Sequence, residues 1–250
     1  MDHLLMYHTT ITERMKRILE EELDKINDAA EIISESLKDP EHLLHVFGTG
    51  GHSIMAAEEL FFRAGGIVQT DPIFFSGVSQ INGGIKTQIE RVPGIAKIIL
   101  KAHRIQEKEV MIISSQAGIN SLTIEAAEES KRLGLTVIGI EGRDVCDRVP
   151  KDCVSRHPSG KNLHDIADIT IDAKIPYGDA VIAVDGAEQN IGPVSNILIF
   201  FVLNSLMIRT VEKLVEKGVS PAIWKSANIP GGDEDNEQYL RAYKEKIKAL

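Results

Sequence analysis

Clustered positive charge and cysteine are both scarce in this chain. Its 250 residues contain no run of Lys and Arg, and the formal net charge is −9 with a pI near 5.4. That balance argues against general nucleic-acid binding, so no nucleic-acid partner is expected. A bound phosphate would have to be held mainly by backbone amides and hydroxyls. The two cysteines, Cys146 and Cys153, form neither a zinc spacing nor a disulfide framework, which points to a reduced, intracellular protein. No secretory leader is expected, because Met1-Asp2-His3 lacks the basic-then-apolar order. The apolar stretch Ile197 to Ile208 falls short of the ~20 residues needed to span a bilayer, and Asn204 and Ser205 interrupt it. A helix buried on nearly all sides, in the core or at a subunit interface, explains it better. The expectation is a cytoplasmic protein without membrane contact.

Composition is otherwise that of an ordinary globular chain, with 43% hydrophobic and 26% charged residues. There is no repeat of solenoid length, no low-complexity segment and no composition shift that marks a linker. One domain over 1–250 is expected, with a core at about 40–217, a helical N-terminal part at 1–39 and a C-terminal loop and helix at 218–250. Apolar residues recur at helical intervals from about Thr10 to Lys38, which predicts one or two amphipathic helices. Beyond Pro40, short β-rich runs alternate with helical ones, the pattern of a parallel sheet covered by helices. The expected strands are Leu43–Phe47, Ile67–Thr70, Val110–Ile113, Thr136–Ile140 and Ile169–Ile171. The expected helices are Ser53–Ala64, Arg91–Lys101, Ser121–Leu133, Val194–Lys217 and Glu234–Lys248. The segment Pro221 to Asp235, with the only tryptophan, Trp224, reads as a long ordered loop.

Two strand-to-helix turns carry the chemistry. In the first, Val46-Phe47 meets Gly48-Thr49-Gly50-Gly51-His52-Ser53 and then the helix-like run from Ile54. Glycines let the backbone come close to a ligand, and the following helix aims free N–H groups and its positive dipole end at the same place. An anion fits there, though a tight steric turn would use the same glycines. In the second, Val110–Ile113 opens into Ser114-Ser115-Gln116-Ala117-Gly118-Ile119-Asn120-Ser121 before another helix. Ser115, Asn120 and Ser121 suit either capping of that helix or donation to phosphate oxygens. Two such turns at the carboxyl ends of parallel strands can face one crevice.

With Ala57-Glu58-Glu59-Leu60, these motifs resemble the SIS (sugar isomerase) domain, the phosphosugar-binding module of phosphoheptose isomerase, arabinose-phosphate isomerase and glucosamine-phosphate synthase. The resemblance covers roughly residues 40 to 217. It is strongest to a branch of small stand-alone SIS proteins without an assigned activity, which share segments like Glu58 to Gly66, Ser159-Gly160-Lys161 and Ser226 to Asp233. It implies a flavodoxin-like three-layer α/β/α sandwich in the α/β class, and a homodimer or homotetramer with shared sites. It also implies a sugar phosphate held by Ser53, the amides around Gly50, Gly51 and His52, and Ser115, Gln116, Asn120 and Ser121. One departure stands out: Ala117 occupies a position where the family usually has a serine, and Gln116 is the candidate to compensate.

By the same resemblance the activity is aldose–ketose isomerisation through an enediolate, with Glu59 in the position of the catalytic glutamate. The stretch from Ser53 to Ala57-Glu58-Glu59-Leu60 is shorter than in phosphoheptose isomerase by about one helical turn, ~4 residues. A solvated face or a salt-bridge site is the plainer reading of Glu58 and Glu59. That isomerase also uses a histidine on its last long helix, and Val194 to Lys217 has none. His52 is the best substitute acid/base, with a phosphate donor or a structural contact as its plainer reading; His45 and His103 read as structural. An amino-sugar phosphate etherase or deaminase and a non-catalytic phosphosugar sensor are the alternatives. No cofactor is expected. His157 and His164 flank Ser159-Gly160-Lys161, but no third ligand has suitable spacing and no metal is expected. Lys161 suits a phosphate or a plain loop position. The segment Ser226 to Asp233 suits a loop over the sugar or a packed arm anchored by Trp224.

Overall fold

The β-branched runs become the strands they predict. In the computed structural model, which describes residues 2–250, β1 (Leu44–Gly48), β2 (Thr70–Ile73), β3 (Val110–Ser114), β4 (Thr136–Glu141) and β5 (Ile169–Asp172) form one parallel sheet in the order β2-β1-β3-β4-β5. Alternate side chains serve opposite faces, as the strand repeat requires. Leu44, Val46, Ile112, Ile138 and Ile140 pack with Ile26, Ala30 and Ile33 of α2 (Leu23–Leu37) and with Leu198, Val202 and Leu206 of α8 (Ser195–Glu216). Phe47, Met111, Ile113 and Val137 pack with Ala96 and Ile99 of α5 (Ile95–Leu100) and with Leu122 and Ala126 of α6 (Ser121–Arg132). This is the expected α/β/α sandwich. Its strand order reverses direction between β1 and β3, and that reversal opens a crevice at the strands' carboxyl ends.

The N-terminal periodicity resolves into two helices. Asp2 caps α1 (His3–Glu21) by accepting the Leu4 amide at 2.7 Å. The chain breaks at Glu22, a buried residue whose carboxylate pairs with Lys174 at 2.5 Å, before α2 begins.

Several expected boundaries move for identifiable reasons. The helix expected over Ser53–Ala64 is a 3-10 turn, His52–Ile54, followed by α3 (Met55–Leu60). It stops there because Phe61 is extended and Phe62 takes φ 51 ahead of Gly65 and Gly66. The strand expected at Ile67–Thr70 lies at Thr70–Ile73. Ile67 instead bridges to Ile223, and the Val68 amide donates to the Ala222 carbonyl. Pro72, without an N–H, is tolerated because β2 is an edge strand. Pro93 and Gly94 delay the expected Arg91–Lys101 helix to Ile95, and α4 (Gly84–Ile89) precedes it unanticipated. A short α7 (Arg143–Arg148) and a hairpin of β6 (Ala180–Ile182) with β7 (Ile191–Pro193) were also not foreseen.

The last helix, α9, runs Gly232–Tyr243 rather than Glu234–Lys248. Trp224 anchors this arm against Leu43, Val68, Tyr243 and Ile247. No helix of the described residues is long and apolar enough to cross a membrane. Helix α8 is buried along one side only, since Ile208 and Val215 are about 60% exposed.

Candidate functional site

Strands β1 and β3 are hydrogen-bonded neighbours, with Gly48 opposite Ser114, so the two turns leave the sheet side by side. Three contacts bind them together. The Thr49 amide donates to the Ser114 carbonyl at 3.1 Å, the Thr49 and Thr123 hydroxyls lie 2.6 Å apart, and Ser53 Oγ accepts the Gln116 amide at 3.3 Å. Gly51 takes φ 51, a conformation costly for any side-chain-bearing residue, and a Cβ there would stand 2.8 Å from Lys86 Nζ. Between the turns lies a cavity of about 70 Å³ lined by Gly50, Gly51, Ser53, Ser115, Gln116 and Asn120. Ala117 lines it too, at the position where a hydroxyl is missing.

Asn120, the N-cap residue of α6, lines the cavity, and its side chain makes no capping bond. Ser121 does not belong to the lining. Its buried hydroxyl donates to the Arg91 carbonyl at 2.9 Å, a structural tie.

Two charged residues that carry no sequence motif complete the lining. Lys86 and Glu90 reach in from α4 and the residue after it, with Nζ and Oε2 3.8 Å apart. Burial raises the Glu90 carboxyl above its usual range, against the pull of Lys86 and Arg91. A Cβ on Gly50 would collide with the Glu90 carboxylate. The Glu90 carbonyl in turn accepts the Leu122 amide at 3.0 Å, tying this segment to the start of α6.

His52 lines the cavity as well, and burial lowers its pKa so that it is held neutral. Its Nε2 is 3.0 Å from Ser195 Oγ, which donates to Asp179 Oδ2 at 2.8 Å. The serine's one proton goes to the carboxylate, so it accepts from His52 Nε2–H and Nδ1 is left as the acceptor nitrogen. Ser195 opens α8, the long helix that carries no histidine. The link runs between residues 143 apart in the chain, beyond the reach of motif spacing.

Glu59 is not part of the cavity lining. Its carboxylate is taken by Arg63 at 2.6 Å and by the Asn204 amide at 2.9 Å, the salt-bridge arrangement that an i,i+4 pair favours. Lys161 pairs with Glu128 at 2.7 Å, and Asn196 contacts Met55, so neither enters the cavity lining. The 226–233 segment borders a different, larger cavity of about 530 Å³ beside Phe62 and Trp224. None of its residues lines the paired turns, and Ala227 to Gly231 and Asp233 are exposed.

A model of the SIS domain matches residues 6–142, from within α1 to just past the end of β4. The chain belongs to the SIS domain family. It is 38% identical over 248 residues to a UPF0309 protein of Caldanaerobacter subterraneus, covering 98% of this chain and 99% of that one. It is also 38% identical over 251 residues to a UPF0309 protein of Thermoanaerobacter pseudethanolicus, covering 99% and 100%. Among solved structures, this SIS domain is similar to a phosphoheptose isomerase from Francisella tularensis, with TM-score 0.50 and 15% identity over 84% of this chain and 96% of that one. A phosphoheptose isomerase from Neisseria gonorrhoeae gives TM-score 0.50 and 13% identity over 82% and 96%. At those identities the likeness concerns the fold.

Proposed function

We propose that the crevice between the two turns binds the phosphate of a phosphorylated sugar, and that the protein interconverts aldose and ketose forms through an enediolate. The observation that carries this reading is the contact of Ser53 Oγ with the Gln116 amide. It brings hydroxyls and backbone amides from both turns, with the Asn120 side chain, around one phosphate-sized space. A single lysine, Lys86, supplies the positive charge. Family membership and the phosphoheptose isomerases that share the fold support the same reading.

Glu90 has the better claim to the role of base than Glu59. A carboxylate desolvated toward neutrality suits removal of a proton from the carbon beside a carbonyl. The electron pair moves to the carbonyl oxygen, and the same carboxyl returns the proton to the neighbouring carbon. His52, accepting at Nδ1, carries the hydroxyl proton between the two oxygens. Glu59, with both oxygens engaged, ties α3 to α8.

A cavity of 70 Å³ takes a phosphate but lies well below the ~300–1,000 Å³ of ligand sites. The sugar carbons would therefore sit at its mouth, where a second copy of the chain in a homodimer or homotetramer would close the site. The same small volume favours a second reading, a sensor that binds phosphosugars without turning them over.

Deuterium wash-in followed by NMR separates these readings. Incubation with hexose, heptose and pentose phosphates in D2O should give carbon-bound deuterium and conversion. Glu90→Gln should lower both by ~100-fold or more while calorimetric affinity stays within a few fold, and Glu59→Gln should leave turnover nearly intact. The opposite pattern assigns the base to Glu59. Binding with neither exchange nor conversion in the wild type leaves the sensor.

A further inference from the structure

Behind the second turn, three metal-ligating side chains from separate segments converge. Glu141 ends β4, Cys146 lies on α7, and His164 sits in a 3-10 turn, Leu163–Asp165. Their donor atoms lie within 4.8 Å of one another. Glu141 Oε1 is 2.5 Å from His164 Nδ1 and 3.7 Å from Cys146 Sγ, which is 3.9 Å from the same nitrogen. A second observation is independent of this convergence. Glu141 is fully buried, and its other oxygen, Oε2, has no hydrogen-bond partner at all. Leaving a buried carboxylate oxygen unpaired is costly unless something satisfies it. Gly118 makes room for it, since a Cβ there would fall on that oxygen, and φ 64 already excludes most side chains.

We infer that Glu141, Cys146 and His164 form a binding site for a divalent transition metal ion of the zinc class. Thiolate, imidazole and carboxylate together suit zinc, whose bond lengths set donor-to-donor edges of about 3.4–3.6 Å in a tetrahedron. Two of the three edges are close to that already. The third, between Glu141 and His164, widens when the hydrogen bond between them gives way to coordination. The ion displaces the Cys146 thiol proton, and the imidazole proton passes to Nε2, 3.7 Å from Asp165 Oδ1. The Asn162 amide, 3.3 Å from Nε2 and held at Oδ1 by Arg156 at 2.7 Å, would have to turn for this. His164 keeps 15% of its side chain exposed, which leaves an entry path.

The site would brace the second turn without touching its ligand. The Leu163 amide donates to the Gly118 carbonyl at 2.8 Å, and the Gly142 amide to the Gln116 carbonyl at 3.1 Å. An ion joining residues 141, 146 and 164 therefore fixes the backbone on which Gln116 and Gly118 hang. This inference stands apart from the sugar-phosphate reading.

Cobalt(II) tests it in the full-length protein after treatment with a chelator. Titration should give one equivalent of four-coordinate cobalt, with intense visible bands and a thiolate-to-cobalt charge-transfer band in the near ultraviolet. Zinc should bleach both. The charge-transfer band should vanish in Cys146→Ser and survive in Cys153→Ser. Zinc at about a hundredfold its dissociation constant should raise the melting temperature by ~5 °C or more, and His164→Gln should remove most of that rise. A wild-type protein that shows no charge-transfer band at saturating cobalt overturns the inference, whether or not the variants fold. So does a band that depends on Cys153.

Discussion

His45 offers the most quantitative test of the fold's charge design. It lies on β1 with no exposure, its Nδ1 2.9 Å from Asp71 Oδ2 and its Nε2 2.8 Å from Glu109 Oε2. Asp71 Oδ2 is also 2.9 Å from His103 Nδ1, and Glu109 accepts the amides of Leu43 and Gln106. An imidazole donating to carboxylates from both nitrogens must be a cation. Burial pulls its pKa down, but the hydrogen bonds to Asp71 and Glu109 outweigh this and leave it raised from 6.5 to about 8. Because the folded value is the higher one, the stabilisation is complete below pH 6.5 and is lost as pH rises through about 8. At about 1.4 kcal/mol per pH unit, the loss amounts to about 2 kcal/mol.

His45→Gln removes the cation and strands two buried carboxylates, an outcome that typically costs ~3–5 kcal/mol. Asp71 and Glu109, held below their usual range, lose their contribution only in acid, so measurements between pH 6 and 9 isolate the imidazole. Urea unfolding should place the variant about 3–5 kcal/mol below wild type at pH 6. The gap should narrow by about 2 kcal/mol at pH 9. A gap of equal size at both pH values would show that His45 is not charged in the folded protein.

The phosphate crevice gives two further predictions. Ser53→Ala with Ser115→Ala should weaken phosphosugar binding by ~10-fold or more while sparing unphosphorylated sugars; unchanged calorimetric affinity would refute the phosphate assignment. Ala117→Ser restores a hydroxyl to the second turn and should tighten binding of inorganic phosphate by about 10-fold, and equal or weaker binding would show that Gln116 already fills that role.

Much of the scaffold was legible because it rests on short-range patterns. The β-branched runs at 110–114 and 136–141 admit few other structures, and the glycine- and serine-bearing turns after β1 and β3 mark the crevice. Strand β2 was displaced because Ile67 and Val68, the more strand-like residues, bond to the 222–223 segment, a partner far away in sequence. Glu90 and Lys86 escaped notice because α4 is a short helix entered through Gly83 and Gly84, with no motif around it. His52 was found as a residue, but its partner Ser195 was not, since only the packed fold brings α8 to the first turn. Glu59 illustrates the converse. Its motif position and the salt-bridge reading were both open from the sequence, and the structure pairs its carboxylate with Arg63, four residues on. His164 was singled out with His157, yet its true neighbours, Glu141 and Cys146, come from β4 and α7.

The bond between Ser53 and the Gln116 amide has a consequence for how an anion would enter. The serine oxygen spends only a lone pair on that amide, so its O–H stays free to donate to an anion while the contact between the bends persists. A guest held by donors from both bends would add a further tie between them, so occupancy should register as slower exchange of the Thr49 and Gln116 amides.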